Sequence, residues 1–146
     1  MMSKVEVHPT TKTTTVIGLV FEGFGLLTMV LGVAFLQILS TLSVDELMQA
    51  GFSEGDALIL LWIGAIVRLI LLVLSLLVGI FFVVNIVLFS KMIRNLYDRE
   101  TTEKILLYQA IWGGVNMVFN QLAGICYLIS GLTGRTAIKE PVRDGL

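Results

Sequence analysis

The sequence predicts an all-α fold, a polytopic transmembrane helical bundle made of two long helices and a C-terminal helical hairpin. Of its 146 residues, 56% are hydrophobic and 14% are charged, and the mean hydropathy is +0.92. Such a chain has too little polar surface to cover a water-soluble globule. The apolar residues form three long runs, and the Lys and Arg residues concentrate in the segments that flank them. We therefore expect one integral membrane domain covering residues 1–146.

The first transmembrane helix is predicted at residues 13–40, after a tail at residues 1–12. Its apolar run contains a single charged residue, Glu22. Lys4 and Lys12 precede the run as the basic flank of a signal peptide would. However, the run is too long for a signal peptide and lacks a small-residue cleavage site after a short core. We therefore expect it to remain in the mature protein as a spanning helix.

Residues 41–56 are predicted to form an outer loop that contains a short helix. The segment from Ser43 to Glu46 has the spacing of a capping box, and Gly51 is a suitable stop. The loop contains four acidic residues and no Lys or Arg, whereas residues 90–104 contain four basic residues. Because short loops rich in Lys and Arg stay in the cytoplasm, the chain begins inside and the acidic loop lies outside.

The second transmembrane helix is predicted at residues 57–95, and Arg68 is the only charge in its apolar part, residues 57–89. A helix of that apolar length would measure roughly 50 Å, against a hydrocarbon core of about 30 Å. A turn near Gly79 would divide it into two spans, but the loop charges require a single crossing. We therefore expect one long helix in which residues 69–89 cross the bilayer, with Arg68 reaching the outer interface.

A helical hairpin is predicted at residues 105–134, after an inner loop at residues 96–104. Two passes would keep the basic tail at residues 135–146 in the cytoplasm, although each arm would be only about 21 Å long. The middle of the segment is also where a hairpin needs its turn and where a continuous span least tolerates amides. The amides at that point are Asn116, Asn120 and Gln121. Three full spans are the alternative to this arrangement.

Glu22 is the main candidate functional residue, because a carboxylate inside a bilayer is costly unless it is neutralised or paired. Gly18, Gly25 and Gly32 recur every seven residues, and Glu22 lies on the same stripe of the helix. Small residues at this spacing allow another helix to approach closely. The stripe therefore predicts a helix-packing surface in which Glu22 is buried near the midplane.

Three interpretations of Glu22 are open. The first is a protonated carboxyl that joins helices by hydrogen bonds. The second is a proton- or cation-coupled site of a transporter or channel, and the third is a contact with a partner membrane protein. Candidate partners within the chain are Asn85 of the second helix and Asn116 and Asn120 of the hairpin. For the amides themselves we expect a structural role, either bonding across helices or capping the hairpin turn.

The sequence lacks the patterns typical of enzymes and of nucleic-acid-binding proteins. The single histidine, His8, and the single cysteine, Cys126, form no ligand cluster, and the chain contains no phosphate-binding loop or nucleophile motif. A formal net charge of −1 argues against binding to nucleic acid. We expect no catalytic, cofactor or metal site. The expected partners are lipid and either another membrane protein or a second copy of the chain.

A family resemblance is carried by two segments, KTTTVIG at residues 12–18 and AGICYLISGL at residues 123–132. They resemble the two ends of a group of small four-helix bacterial membrane proteins of uncharacterised function. The resemblance implies a bacterial plasma membrane and a hairpin at the carboxyl end, and it identifies no active residues. The chain departs from the group through its long second helix, which carries Arg68.

We therefore expect an accessory or assembly subunit of the bacterial plasma membrane, with both termini in the cytoplasm. It would act by helix packing with itself or with a larger membrane complex. The alternative is a small oligomeric channel, or a proton- or cation-linked transporter that uses Glu22. The first function needs only the hydrogen bonds of Glu22, whereas the second needs Glu22 to exchange a proton or cation.

Overall fold

The computed structural model of the protein describes residues 5–139, and this part of the chain contains five α-helices and no β-strand. The predicted all-α class is therefore confirmed. The ends of the two predicted tails, residues 1–4 and 140–146, lie outside the described residues. The helices are α1 Pro9–Leu39, α2 Val44–Gln49, α3 Glu54–Ile93, α4 Arg99–Phe119 and α5 Gln121–Lys139.

Several helix boundaries differ from those read from the apolar pattern. Helix α1 begins at Pro9, inside the predicted tail, and α3 ends at Ile93. The largest difference concerns α4, which begins at Arg99 and not at Ile105, so the inner loop is shorter than residues 96–104. Asp98 explains this early start, because its side chain accepts a hydrogen bond from the backbone N–H of Thr101 at 2.7 Å.

The described chain divides into two compact units. Unit 1 contains residues 5–25 and 81–139, and unit 2 contains residues 26–80. Helices α1 and α3 therefore contribute residues to both units. The buried apolar core lies in unit 1, where the largest members are Phe89, Met92, Leu106 and Tyr127.

Within unit 1, α4 and α5 form an antiparallel pair joined at Asn120. Their backbones touch at three glycines. A Cβ added at Gly113 would lie 2.7 Å from the backbone nitrogen of Leu128, and similar overlaps occur at Gly124 and Gly131. Contacts this short are not found for real Cβ atoms, so these positions require glycine for the two helices to stay in contact.

Unit 2 contains the rest of α1, the short helix α2 and most of α3. The predicted capping box of α2 is present, with Ser43 and Glu46 exchanging hydrogen bonds. The hydrogen bond from the Ser43 backbone, and to a smaller extent the one from the Ser43 side chain, hold the pKa of Glu46 below its usual value. Gly51 follows α2 with φ of +100°, a backbone conformation that favours glycine. Ser53 then accepts a hydrogen bond from the Asp56 N–H at the start of α3.

The long helices α1 and α3 expose most of their apolar side chains. Only 6% of the most apolar stretch of α1 and 11% of that of α3 is buried. These two helices are long and apolar enough to cross a membrane. Helices α4 and α5 do not meet the same criteria of length and hydropathy. The surface of both long helices is thus mainly hydrocarbon.

The cap of α4 predicts a dependence of stability on pH. Two hydrogen bonds with Thr101 lower the pKa of Asp98 in the folded protein. The bond to the Thr101 side chain has the larger effect and the bond to its backbone the smaller. A lowered folded-state pKa means that the stabilisation is fully present above the unfolded-state pKa and is lost as the pH falls through the folded-state pKa. Because asparagine also caps helices but does not titrate, Asp98→Asn should remove this loss. Amide hydrogen exchange in the first turn of α4 at neutral and acid pH would measure it. Equal acid sensitivity in the two proteins would contradict the expectation.

Candidate functional site

The side chain of Glu22 lies inside unit 1 and is 1% exposed. Its Oε1 accepts hydrogen bonds from Asn85 Nδ2 at 3.0 Å and from Trp112 Nε1 at 2.7 Å. Its Oε2 accepts from Asn85 Nδ2 at 3.1 Å and from the Tyr127 hydroxyl at 2.5 Å. These four residues come from α1, α3, α4 and α5 respectively. One carboxylate therefore joins all four helices of unit 1.

The donors around Glu22 are themselves held in position. The Tyr108 hydroxyl donates to Asn85 Oδ1 at 2.7 Å, which turns the NH₂ group of Asn85 toward Glu22. The Trp112 ring stacks on Phe81 with a centroid distance of 4.6 Å. Phe89 packs edge-on against Tyr127. The set formed by Glu22, Asn85, Tyr108, Trp112 and Tyr127 is called the Glu22 cluster below.

The buried face of α1 explains how the sequence brings these groups together. Its buried residues are Thr11, Thr15, Gly18 and Glu22, which recur at intervals of four, three and four residues and so lie on one side of the helix. Gly18 makes room for the aromatic ring that reaches Glu22. A Cβ added at Gly18 would lie 2.6 Å from Tyr127 Cε1. Gly18 and Glu22 therefore act together to admit Tyr127.

Glu22 has donors around it but no cationic partner. Within residues 5–139 the ion pairs are Lys104–Glu100 and Arg135–Glu103, and neither involves Glu22. The indole N–H of Trp112 and the NH₂ of Asn85 can only donate, so the carboxyl group serves them as an acceptor. Protonated Glu22 would need an acceptor of its own, and among its bonded partners only the Tyr127 hydroxyl can accept. The site can thus hold helices together through the acceptor oxygens of one carboxyl group.

A second buried polar group lies on the same face of α1. Thr15 Oγ1 lies 2.6 Å from Ser130 Oγ and accepts from Gln109 Nε2 at 2.9 Å. Ser130 Oγ also lies 3.1 Å from Gln109 Oε1. The adjacent Thr11 hydroxyl is buried and has no hydrogen-bond partner. Thr11, Thr15, Gln109 and Ser130 are called the hydroxyl cluster below, and all four are fully buried.

The two clusters are separate networks in the described part of the chain. Thr15 and Glu22 are seven residues apart on α1, which corresponds to about 10 Å along the axis. Ser130 lies one turn beyond Tyr127 on α5. No hydrogen bond found between residues 5 and 139 connects one cluster to the other.

Of the three asparagines that were candidate partners of Glu22, Asn85 bonds to it, and the hairpin amides lie elsewhere. Asn120 Nδ2 donates to the Phe21 carbonyl at 2.6 Å, and its Oδ1 accepts from the Ala123 N–H. Asn120 is thereby occupied at the turn, where it also packs on Gly25. Asn116 is buried with its Nδ2 unpartnered. Gln121 is exposed at the start of α5.

The remaining candidates, Arg68 and Gly32, belong to unit 2. Arg68 donates through one guanidinium nitrogen to Gln37 Oε1 at 2.6 Å and to Ser40 Oγ at 2.8 Å. It therefore bonds to two neutral side chains, that of Gln37 in α1 and that of Ser40 directly after it. Gly32 faces Leu71 at an ordinary contact distance, so a Cβ would fit there. The glycine stripe accordingly has its closest contacts at Gly18 and Gly25.

Several residues of the site were not singled out as candidates from the sequence. Tyr108, Trp112 and Tyr127 lie in apolar sequence, where Tyr and Trp are typical anchors at the membrane interface. Gln109 did offer a signal, because it lies three residues before Trp112 and seven before Asn116, which places all three on one helical face.

No family model, curated protein or solved structure matches this chain. Among residues 5–139, no group of three or more His, Cys, Asp or Glu side chains is arranged to hold a metal ion. The interpretation of the site therefore depends on its own contacts. Their main feature is one buried acceptor shared by three donors from three other helices.

Proposed function

We propose that this is a small multi-pass protein of the bacterial plasma membrane that works as an accessory or assembly subunit through helix packing. The Glu22 cluster is the observation that carries this proposal. Its carboxylate is closed off from the surface, and its hydrogen-bonding capacity is used by donors from α3, α4 and α5. A group bound in this way stabilises a particular arrangement of helices, which a partner can then recognise.

The membrane setting is supported by where the apolar side chains lie. A core helix of a soluble protein is mostly buried, whereas the apolar stretches of α1 and α3 are mostly exposed. A signal sequence would account only for a helix near the N-terminus, and α3 lies far from it. Helices whose outer surface is hydrocarbon need lipid or another protein around them.

The multi-pass arrangement is supported by loop charge and by the polarity of the hairpin. The basic segment between α3 and α4 and the carboxyl-terminal tail would share the cytoplasm with the N-terminus. In the hairpin, Gln109 and Asn116 are buried between helices, while Ile111 and Val118 are exposed. Two short helices that bury Gln109 and Asn116 between them and leave Gln121 exposed only at the turn are suited to a membrane hairpin.

The second candidate function is proton-linked transport through Glu22. It is favoured by one specific observation, the hydroxyl cluster on the same face of α1 as Glu22. Buried polar side chains on the same helix face as a carboxyl are a feature of proton pathways, and here about 10 Å of helix axis separates the two groups. Transport requires Glu22 to release and bind a proton, whereas packing does not.

A pair of assays on Glu22→Gln distinguishes the two functions. The amide keeps a bond to Trp112, and the Tyr127 hydroxyl can reverse to accept from it, so helix packing should survive. We expect wild type and variant to form the same complex in native membranes. We also expect proteoliposomes containing a trapped pH dye to dissipate an imposed pH gradient no faster than empty vesicles. Proton flux by the wild type that disappears in Glu22→Gln would establish the transport function instead.

A further inference from the structure

We propose that the part of unit 2 before Arg68 is a docking surface for a partner membrane protein that carries basic residues just outside the bilayer. The surface consists of residues 41–67, which include α2 and the first part of α3. The proposal rests on the proposed membrane function and identifies the class of partner.

The length of α3 leaves apolar residues that lipid cannot cover. Its apolar part, residues 57–89, measures roughly 50 Å. A helix tilted by about 40°, the upper end of the usual range, crosses a 30 Å core in only about 39 Å. Lys91 sets the cytoplasmic end of this part and Asp56 the outer end. About seven apolar residues therefore extend beyond the lipid on the outer side, and they precede Arg68 in the chain.

This excess length carries an exposed apolar stripe. Ile59, Trp62 and Ile63 lie within it, Ile66 follows less than one turn later on the same face of α3, and each of the four is more than half exposed. Trp62 is 70% exposed. In water such a stripe favours contact with another protein, and large exposed aromatic residues are typical of binding hot spots.

The charges in the same segment of the chain favour a basic partner over a second copy of the chain. Residues 41–67 contain four acidic residues and no Lys or Arg. Two copies in the same orientation would bring carboxylates together, which is unfavourable. Glu46 and Asp56 are engaged with the serines that cap α2 and α3. Asp45 and Glu54 are exposed and make no hydrogen bond or ion pair among the described residues, so they are available to Lys or Arg of a partner.

The first experiment measures whether lipid covers the stripe. In a Cys126→Ser background, Ile63→Cys and the control Leu76→Cys are treated with a membrane-impermeant maleimide and compared with detergent-solubilised protein. With purified protein in lipid vesicles, we expect Ile63→Cys to react and Leu76→Cys to remain unlabelled. In native membranes, labelling at position 63 should fall at least fivefold. Lack of reaction at position 63 in pure lipid, or equal labelling in both membranes, would overturn the proposal.

The second experiment identifies the class of partner. A carbodiimide joins carboxylates to lysine amines without a spacer, and residues 41–90 contain no lysine. A cross-link between two peptides on the outer side must therefore include an amine from another protein. We expect a cross-linked peptide between residues 41–56 and a lysine-bearing segment of a different chain. Asp45→Asn with Glu54→Gln should reduce its yield severalfold, because their two carboxylates are removed.

Two other outcomes have distinct meanings. A disulfide between two copies through Ile63→Cys would show that the partner is a second copy, which overturns the proposed partner class. A native complex that persists without any cross-link at residues 41–56 would overturn this docking surface but leave the accessory function intact. If native membranes contain no complex of the protein at all, the accessory function itself fails.

Discussion

Alanine at Gly113 is expected to destabilise the protein far more than alanine at the adjacent Gly114. A Cβ at Gly113 would lie 2.7 Å from Leu128 N and 2.9 Å from Gly124 O, both backbone atoms of α5. Backbone atoms can give way only if α4 and α5 separate, which would weaken the contacts along the hairpin. We expect a loss of about 1–3 kcal/mol in unfolding free energy, as for other overpacked sites.

Gly114 is a matched control for this substitution. No atom lies within 4 Å of a Cβ built there, so Gly114→Ala adds a methyl group to open space on the same helix. Alanine also favours helix by about 1 kcal/mol over glycine, so this variant should be neutral or slightly stabilised. Unfolding of the purified proteins in mixed micelles of increasing SDS fraction would measure both. Equal stability of the two variants would mean that α4 and α5 are not in backbone contact.

Leucine in place of Glu22 is expected to have an effect of similar or greater size. It removes the acceptor from Trp112 Nε1, Asn85 Nδ2 and the Tyr127 hydroxyl, all inside unit 1. A buried donor left unpaired costs about 1–3 kcal/mol. Hydrogen bonds between membrane helices average nearer 0.6 kcal/mol, because displaced groups find other partners. We therefore expect a total loss of about 2–4 kcal/mol.

Glu22→Gln is the control that separates hydrogen bonding from charge. It preserves the size of the side chain and one carbonyl oxygen, so its loss of stability should be well below that of Glu22→Leu. The same micelle titration applied to wild type, Gln and Leu variants gives the comparison. If Gln destabilises as much as Leu, the negative charge and not the acceptor geometry holds the four helices together.

The features that could be predicted from the sequence are those that depend on local spacing. The charge content of the loops and the length of the apolar runs predict α1, the single long α3 and the break in the third run, which occurs at Asn120. The Ser43–Glu46 spacing predicts α2 and its cap. The recurrence of glycine every seven residues around Glu22 predicts a buried face of α1, because helical periodicity alone determines which residues share a side.

The composition of the site could not be predicted in the same way. Trp112 and Tyr127 are separated from Glu22 by 90 and 105 residues, and nothing local distinguishes a tyrosine that bonds a carboxylate from one that lies at a membrane interface. The hydroxyl cluster is equally hidden, because a helical threonine can satisfy its hydroxyl on its own backbone, as Thr15 also does on the Thr11 carbonyl. Such contacts depend on how the helices pack.

The chain has two tryptophans, Trp62 and Trp112, and they lie in contrasting surroundings. The ring of Trp62 is exposed, whereas the indole nitrogen of Trp112 lies 2.7 Å from Glu22 Oε1. Excitation moves electron density from the five-membered to the six-membered ring of an indole, so the colour of its emission depends on nearby charge. With Trp62 changed to phenylalanine, the fluorescence spectrum of Trp112, the one remaining tryptophan, therefore reports on the surroundings of Glu22 without any added label.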